Sequence, residues 1–217
     1  MGRESKTFVK IAARISPHFH ARRTRLFKSV FSSIISAGNE STILDVGGAS
    51  AYWKEFSSDA HITVVNLDKT WMGPPNRNCS CAVADGCALP FRADSFDVVF
   101  SNSVIEHLHS FENQQRFARE IQQCGRHLWV QTPAKYFPIE PHVQTLFIHY
   151  LPRPILRRLI RLFTIWGLMT QPDQQEVDEL LAEVRLITYK DMRRLFPGCR
   201  IVRERFLLMT KSYIAVR

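Results

Sequence analysis

The 217-residue chain contains no run of about 18 apolar residues, so no membrane-crossing helix is expected. Near the N-terminus Lys6, Lys10 and Arg14 interrupt every apolar stretch before it reaches the length of a secretory signal. Met1-Gly2 invites N-myristoylation, but the sixth residue is Lys6, where that signal needs Ser or Thr. A cytoplasmic protein is therefore expected, at most peripheral to the inner face of a membrane. The five cysteines, Cys79, Cys81, Cys87, Cys124 and Cys199, are odd in number, with no C-x-x-C pair and no zinc-type spacing to histidine. That pattern fits incidental thiols in a reducing compartment and predicts no metal site. Neither phosphate-cradling motif occurs: there is no G-x-G-x-x-G and no G-x-x-x-x-G-K-[ST]. No internal repeat or low-complexity tract divides the chain, and 45% hydrophobic content is enough for one substantial core.

What is present is a series of short apolar runs that end in acids. Ile43-Leu44-Asp45-Val46-Gly47-Gly48-Ala49-Ser50 reads as a buried parallel strand followed by a glycine turn, the place where open α/β sheets approach a ligand. Val64-Val65-Asn66-Leu67-Asp68 repeats the pattern, Val83-Ala84-Asp85-Gly86 offers a third acid, and Asp97-Val98-Val99-Phe100-Ser101-Asn102 reads as a further buried strand. One carboxylate can accept from two neighbouring hydroxyls, in charge-assisted bonds about twice as strong as neutral ones. A phosphate-bearing nucleotide would be repelled by three acids. Each acid also has a plainer reading, because aspartate caps turns and helix starts.

In order and spacing, residues 40 to 135 resemble the Rossmann-like methyltransferases that use S-adenosylmethionine. Asp85-Gly86-Cys87-Ala88-Leu89-Pro90-Phe91, then Asp94-Ser95-Phe96-Asp97 and Val104-Ile105-Glu106-His107-Leu108, look like the type 11 subgroup that methylates small molecules. The resemblance implies that Asp45, Gly47 and Gly48 face the methionine part of the cofactor, Asp68 the ribose and Asp85 the adenine amine, with Gly86 and Asn102 also in the cofactor site. It implies an α/β, three-layer sandwich with a seven-stranded, mostly parallel sheet and one antiparallel strand at the C-terminal end. The family usually has glycine where Ala49 and Ala51 stand; an added methyl penalises positive φ there, with a reshaped loop or weaker cofactor binding as the consequence.

Charge is distributed unevenly along the chain. Residues 1–38 carry eight Lys/Arg against one acid, residues 39–149 eight against twelve, and residues 150–217 thirteen against seven. A basic helical segment over 1–38 thus precedes an acidic cofactor core, and the methyltransferase domain is expected over 39–217. Basic flanks suit phosphate-bearing substrates, nucleic acid or an anionic membrane. Thr24 to Ile35 is expected to be a helix beside the sheet. Ile155 to Met169, with Arg157, Arg158 and Arg161 on one face and an otherwise apolar surface, is expected to be one basic amphipathic helix, started by Pro152 and Pro154. It either packs on the domain or lies at a membrane interface.

The acceptor side is read from the residues after the fourth and fifth strand patterns. Glu106 and His107 are expected in a helix after the fourth strand. Arg126 to Pro133 is the fifth strand, followed by Tyr136-Phe137-Pro138-Ile139-Glu140-Pro141-His142. In small-molecule methyltransferases this region borders the acceptor, so a lid insertion over about 134–188 is expected. His142 or His149 is then a candidate to take a proton from an acceptor hydroxyl, since an imidazole's ordinary pKa of ~6.5 suits a base near neutrality. His107 and His142 are the catalytic candidates. Alignment of acceptor, methyl and sulfur can also suffice without a base. Thr188 with Asp191 predicts a capped helix that stops before Pro197-Gly198, and Arg200–Leu208 with Ser212–Arg217 predicts a terminal hairpin.

The function expected is methyl transfer from S-adenosylmethionine to an O, N or C atom of a small molecule, lipid-like or sugar-linked. Two alternatives stay open. One is RNA methylation, suggested by a net charge of +9 but without the Asn/Asp-Pro-Pro-aromatic motif of base amino methylases after the fourth strand. The other is a catalytically silent scaffold at a membrane surface, suggested by Ala49 and Ala51.

Overall fold

The computed structural model describes residues 17–35, 40–53, 60–75 and 77–217. The basic stretch before Pro17 lies outside them, including the Phe8 to Ser16 part of the expected N-terminal segment. Nine strands are present among the described residues: β1 (Thr42–Val46), β2 (His61–Asn66), β3 (Cys79–Val83), β4 (Phe96–Asn102), β5 (Gly125–Pro133), β6 (Ile139–Glu140), β7 (Thr145–Leu146), β8 (Arg200–Phe206) and β9 (Met209–Val216). The helices are α1 (Pro17–Val30), α2 (Lys69–Met72), α3 (Phe111–Cys124), α4 (Arg153–Phe163), α5 (Ile165–Thr170), α6 (Gln174–Glu183) and α7 (Tyr189–Leu195).

Seven strands form one sheet in the order β3-β2-β1-β4-β5-β9-β8, and β6 pairs only with β7. Strands β1 to β5 pair in parallel, while β9 runs antiparallel to both β5 and β8. The winding direction reverses between β1 and β4, where Leu44 lies opposite Val99. Open α/β sheets bind ligands outside the carboxyl ends of the strands at such a reversal.

Side chains alternate across a strand, so each apolar run supplies both faces. Ile43, Val64, Val98, Phe100, Trp129 and Ile214 line one face, and Phe27, Phe31 and Ile35 of α1 and the turn after it pack on them. The Phe27 ring meets Phe100 and Trp129 edge-on at 5.1 and 5.5 Å. Leu44, Val46, Val65, Val99, Leu128 and Ala215 line the other face under Phe117 and Ile121 of α3 and Met192 and Leu195 of α7. A third, smaller core holds the insertion together: Val143, Ile148, Leu156, Ile160 and Val177.

Three expectations need correction. The helix expected over Thr24–Ile35 starts at Pro17 and stops at Val30; Phe31 and Ile35 reach the core from a turn instead. Glu106 and His107 sit in a single 3-10 turn, Ile105–His107, not in a longer helix. The helix expected from Ile155 to Met169 is two, α4 and α5. At Thr164 the backbone is extended (φ −121, ψ 151), which ends the helical ladder, and its hydroxyl accepts from the Gly167 amide at 2.9 Å to start α5. Gly167 permits the fold-back, because a Cβ there would lie 2.4 Å from the carbonyl oxygens of Ile160 and Arg161. The capping box of Thr188 and Asp191 is present, and the terminal strands pair as a hairpin. No helix among the described residues is long and apolar enough to cross a membrane.

Candidate active site

Alternation along β1 turns Asp45 toward Trp53, on the α1 side of the sheet. The carboxylate is fully buried; Trp53 Nε1 donates to its Oδ2 at 2.7 Å, and Oδ1 has no partner. Burial pushes this carboxyl up from its usual 3.8 to about 7, against the lowering effect of the Trp53 bond. The next turn closes tightly over it. Gly47 takes φ +80, a left-handed conformation, and a Cβ there would sit 2.5 Å from the Val104 side chain; a Cβ on Gly48 would meet the Asp45 carboxylate at 1.8 Å. The turn is tied to β2 by the Gly47 amide on the Val65 carbonyl (2.7 Å) and the Asn66 side-chain amide on the Gly48 carbonyl (3.3 Å). Ala49 and Ala51 are absent from the positions with positive φ, so neither methyl forces strain.

Asp68 and Asp85 are exposed beyond the ends of β2 and β3. Asp68 also caps α2, accepting from the Thr70 amide at 2.8 Å, and Asp85 accepts from the Cys87 amide at 2.8 Å. The plain capping roles are thus present at the two side chains expected to meet the cofactor. Gly86 is a packing glycine, since a Cβ would lie 2.8 Å from Phe117. Asn102, the last residue of β4, accepts from Arg23 of α1 at 3.3 Å, and the nearly buried Arg23 also pairs with Glu204 of β8 at 3.2 Å. This set fits S-adenosylmethionine: an unpaired buried carboxylate oxygen for an ammonium, a turn without side chains, and acids for hydroxyls and an amine.

A second constellation lies on the segment that leaves β4. Val104 packs on Gly47, and three residues on, His107 meets His142 of the β6–β7 turn with Nε2 to Nε2 at 3.2 Å. Each ring is held from its other nitrogen, His142 Nδ1 to Glu140 Oε1 at 2.6 Å and His107 Nδ1 to Glu183 Oε1 of α6 at 2.9 Å. The Glu140 Oε2 accepts from the Val143 amide at 2.8 Å. Burial by itself would lower the His142 pKa, but the Glu140 charge and hydrogen bond outweigh it and raise the imidazole above its ordinary value. Burial likewise would raise Glu140, and the His142 charge and bonds hold it below the usual carboxylate range. Glu106, wholly buried beside them, accepts from Thr132 Oγ1 at 2.9 Å through Oε2, while Oε1 has no partner.

The structure brings together His107 and His142, two expected residues 35 positions apart. It does not bring in His149, whose Nε2 bonds the Lys135 carbonyl at 3.0 Å. Burial lowers the His149 pKa. Sequence reasoning missed Trp53, Glu140 and Glu183 as site residues. Glu140, two residues before His142, carried a local signal; Glu183 carried none, because only the packing of α6 delivers it.

Residues 44–127 match the family model described as a methyltransferase domain. The human protein named "Probable tRNA methyltransferase 9B" is 30% identical over 116 residues, which is 51% of this chain but only 24% of that relative, so the match spans about a quarter of its length. Among solved structures, magnesium protoporphyrin IX methyltransferase from Synechocystis PCC 6803, with S-adenosylhomocysteine bound, aligns at TM-score 0.53 (12% identity, 99% of this chain and 83% of that one). A chain from the "Complex between the Haloferax volcanii Trm112 methyltransferase activator and the putative methyltransferase" aligns at TM-score 0.57 (11% identity, 100% of this chain and 97% of that one). The sheet order and the glycine turn agree with that match: residues 44–127 are similar to a methyltransferase domain, on a Rossmann-like fold, and S-adenosylmethionine is the cofactor these similarities support.

Proposed function

We propose that the protein transfers the methyl group of S-adenosylmethionine to a small lipid-like or sugar-linked acceptor, with an oxygen as the reacting atom. The observation that supports this reading is the contact of Val104 with Gly47, three residues before His107, on the segment that meets His142. Asp45, Gly47 and Gly48 would hold the methionine part, Asp68 the ribose and Asp85 the adenine amine, with Gly86 shaping the floor and Asn102 the rim. The sulfonium, when bound, supplies an already activated methyl group. The chain's own task is alignment, which can supply many kcal/mol when nucleophile and electrophile are held in near-attack geometry. The His107–His142 pair would border the place where the acceptor hydroxyl is held. Because the Glu140 charge and hydrogen bond raise His142, that ring does not behave as an ordinary imidazole base.

The lid suggests the acceptor class. Leu162, Phe163, Leu168 and Met169 are more than half exposed on α4 and α5, beside the exposed Arg158 and Arg161. An apolar face rimmed by arginine complements an anionic lipid surface, which supports a protein that meets its acceptor at the cytoplasmic face of a membrane.

A second reading, methylation of RNA, is favoured by two observations, the 30% identity to a protein named "Probable tRNA methyltransferase 9B" and the +9 net charge. Incubating the protein with methyl-labelled S-adenosylmethionine and cell extract, then separating lipid-soluble, small polar and RNA fractions, decides between them. Label in the lipid or small-molecule fraction is expected; label confined to RNA would replace this reading with the second.

A further inference from the structure

The two imidazoles of the acceptor side are arranged as metal ligands usually are. Histidines that bind a metal commonly hand their second nitrogen to a carboxylate, which fixes the tautomer and ring orientation. Here both do so: Glu140 holds His142 Nδ1 and Glu183 holds His107 Nδ1, leaving the two Nε2 atoms aimed at each other. Their separation, 3.2 Å, is what two cis ligands show. Metal–nitrogen bonds of about 2.1 Å at angles between octahedral and tetrahedral put the nitrogens about 3.0 to 3.4 Å apart. The third group is Glu106, whose wholly buried Oε1 has no hydrogen-bond partner, an expensive condition for a carboxylate. Ligand atoms of Glu106, His107 and His142 all lie within 4.8 Å of one another.

We infer that His107 Nε2, His142 Nε2 and Glu106 Oε1 form a binding site for one divalent first-row metal ion, of the zinc class, on the acceptor side of the cofactor turn. Two histidines and one carboxylate leave at least one coordination position open, as in metal sites that act on substrate. In the role that rests on the methyltransferase reading, the ion takes the acceptor oxygen into that position. As a Lewis acid it would lower the hydroxyl's pKa: the proton would leave to solvent, and the oxygen–methyl bond would form as the methyl–sulfur bond breaks, its electron pair leaving with S-adenosylhomocysteine.

The test uses the full chain, stripped with a chelator and titrated with Co²⁺ as a spectroscopic probe and then Zn²⁺ as competitor. One equivalent of Co²⁺ with visible d–d absorption, bleached by Zn²⁺, is expected. Glu106→Gln, which keeps the shape of the buried side chain, and the double variant His107→Ala/His142→Ala should each weaken binding at least tenfold. Glu140→Gln should weaken it by about 10- to 100-fold through the orientation of His142. No saturable binding by folded wild-type protein, or binding that survives the double variant, would overturn the inference. S-adenosylmethionine affinity measured on the same stripped protein keeps the two readings apart: cofactor binding without metal binding removes only the metal site.

Discussion

Replacing His142 by alanine is expected to lower kcat by roughly 10²- to 10³-fold while S-adenosylmethionine affinity stays within about twofold, the loss typical of removing a group that positions a reacting proton or its substitute. The asymmetry follows from placement. His142 stands on the β6–β7 turn and touches Glu140 and His107, whereas the groups proposed to hold the cofactor lie at the ends of β1, β2 and β3. The single variant also strips a partner from a buried carboxylate, which costs about 3–5 kcal/mol when a buried pair is half removed. Glu140 is buried, so the companion variant Glu140→Gln/His142→Ala removes that charge as well. Kinetics on the fraction that accepts label, set beside cofactor titration and melting of both variants, checks the prediction. Equal losses of kcat in both, with a melting temperature restored in the double variant, separate chemistry from stability. Unchanged kcat in the double variant would remove His142 from the site.

The second large effect concerns Asp45. Its carboxyl is raised in the folded protein from 3.8 to about 7, so below the lower value both states are protonated and the native state keeps its full contribution. As pH rises between the two values the unfolded chain ionises freely and the native one does not, and stability is lost until the folded carboxyl ionises. Between pH 5 and pH 8 this amounts to about 3 kcal/mol for the cofactor-free protein, at about 1.4 kcal/mol per unit. Asp45→Asn, able to keep an oxygen for Trp53 Nε1, should flatten that part of the profile in urea unfolding across the range. It should also weaken S-adenosylmethionine binding by about 10- to 100-fold, the worth of one hydrogen bond to a charged group. A variant with an unchanged pH profile would show that Asp45 is ionised in the native protein.

The two halves of the site differ in how far the sequence discloses them. The cofactor half is local chemistry: an apolar strand, an acid and a glycine turn lie within a few residues, and Asp45, Gly47 and Gly48 meet in space because they are adjacent in the chain. The strand order then follows from parallel β/α units, and even the capping box at Thr188 is a four-residue pattern. The acceptor half is tertiary. His107 and His142 come from separate elements, and Glu183 arrives from α6, 76 residues from His107, with no periodicity to announce it. The break between α4 and α5 was hidden for another reason: the apolar period runs on through Thr164, and only the hydroxyl cap and the methyl-free approach at Gly167 end one helix and begin the next. Cysteine spacing bears on thiolate sites alone, and it is silent about a histidine–carboxylate cluster assembled by folding.

Cofactor binding, on which every other step depends, is read most directly by calorimetric titration of the purified protein with S-adenosylmethionine, in parallel with Asp68→Ala. Asp68 is exposed, so this variant keeps the fold while removing the carboxylate assigned to the ribose hydroxyls. Saturable one-to-one binding by the wild type, weakened at least tenfold in Asp68→Ala, is the predicted result. A folded wild-type protein that takes up no S-adenosylmethionine would contradict it and leave the chain a methyltransferase fold used as a scaffold.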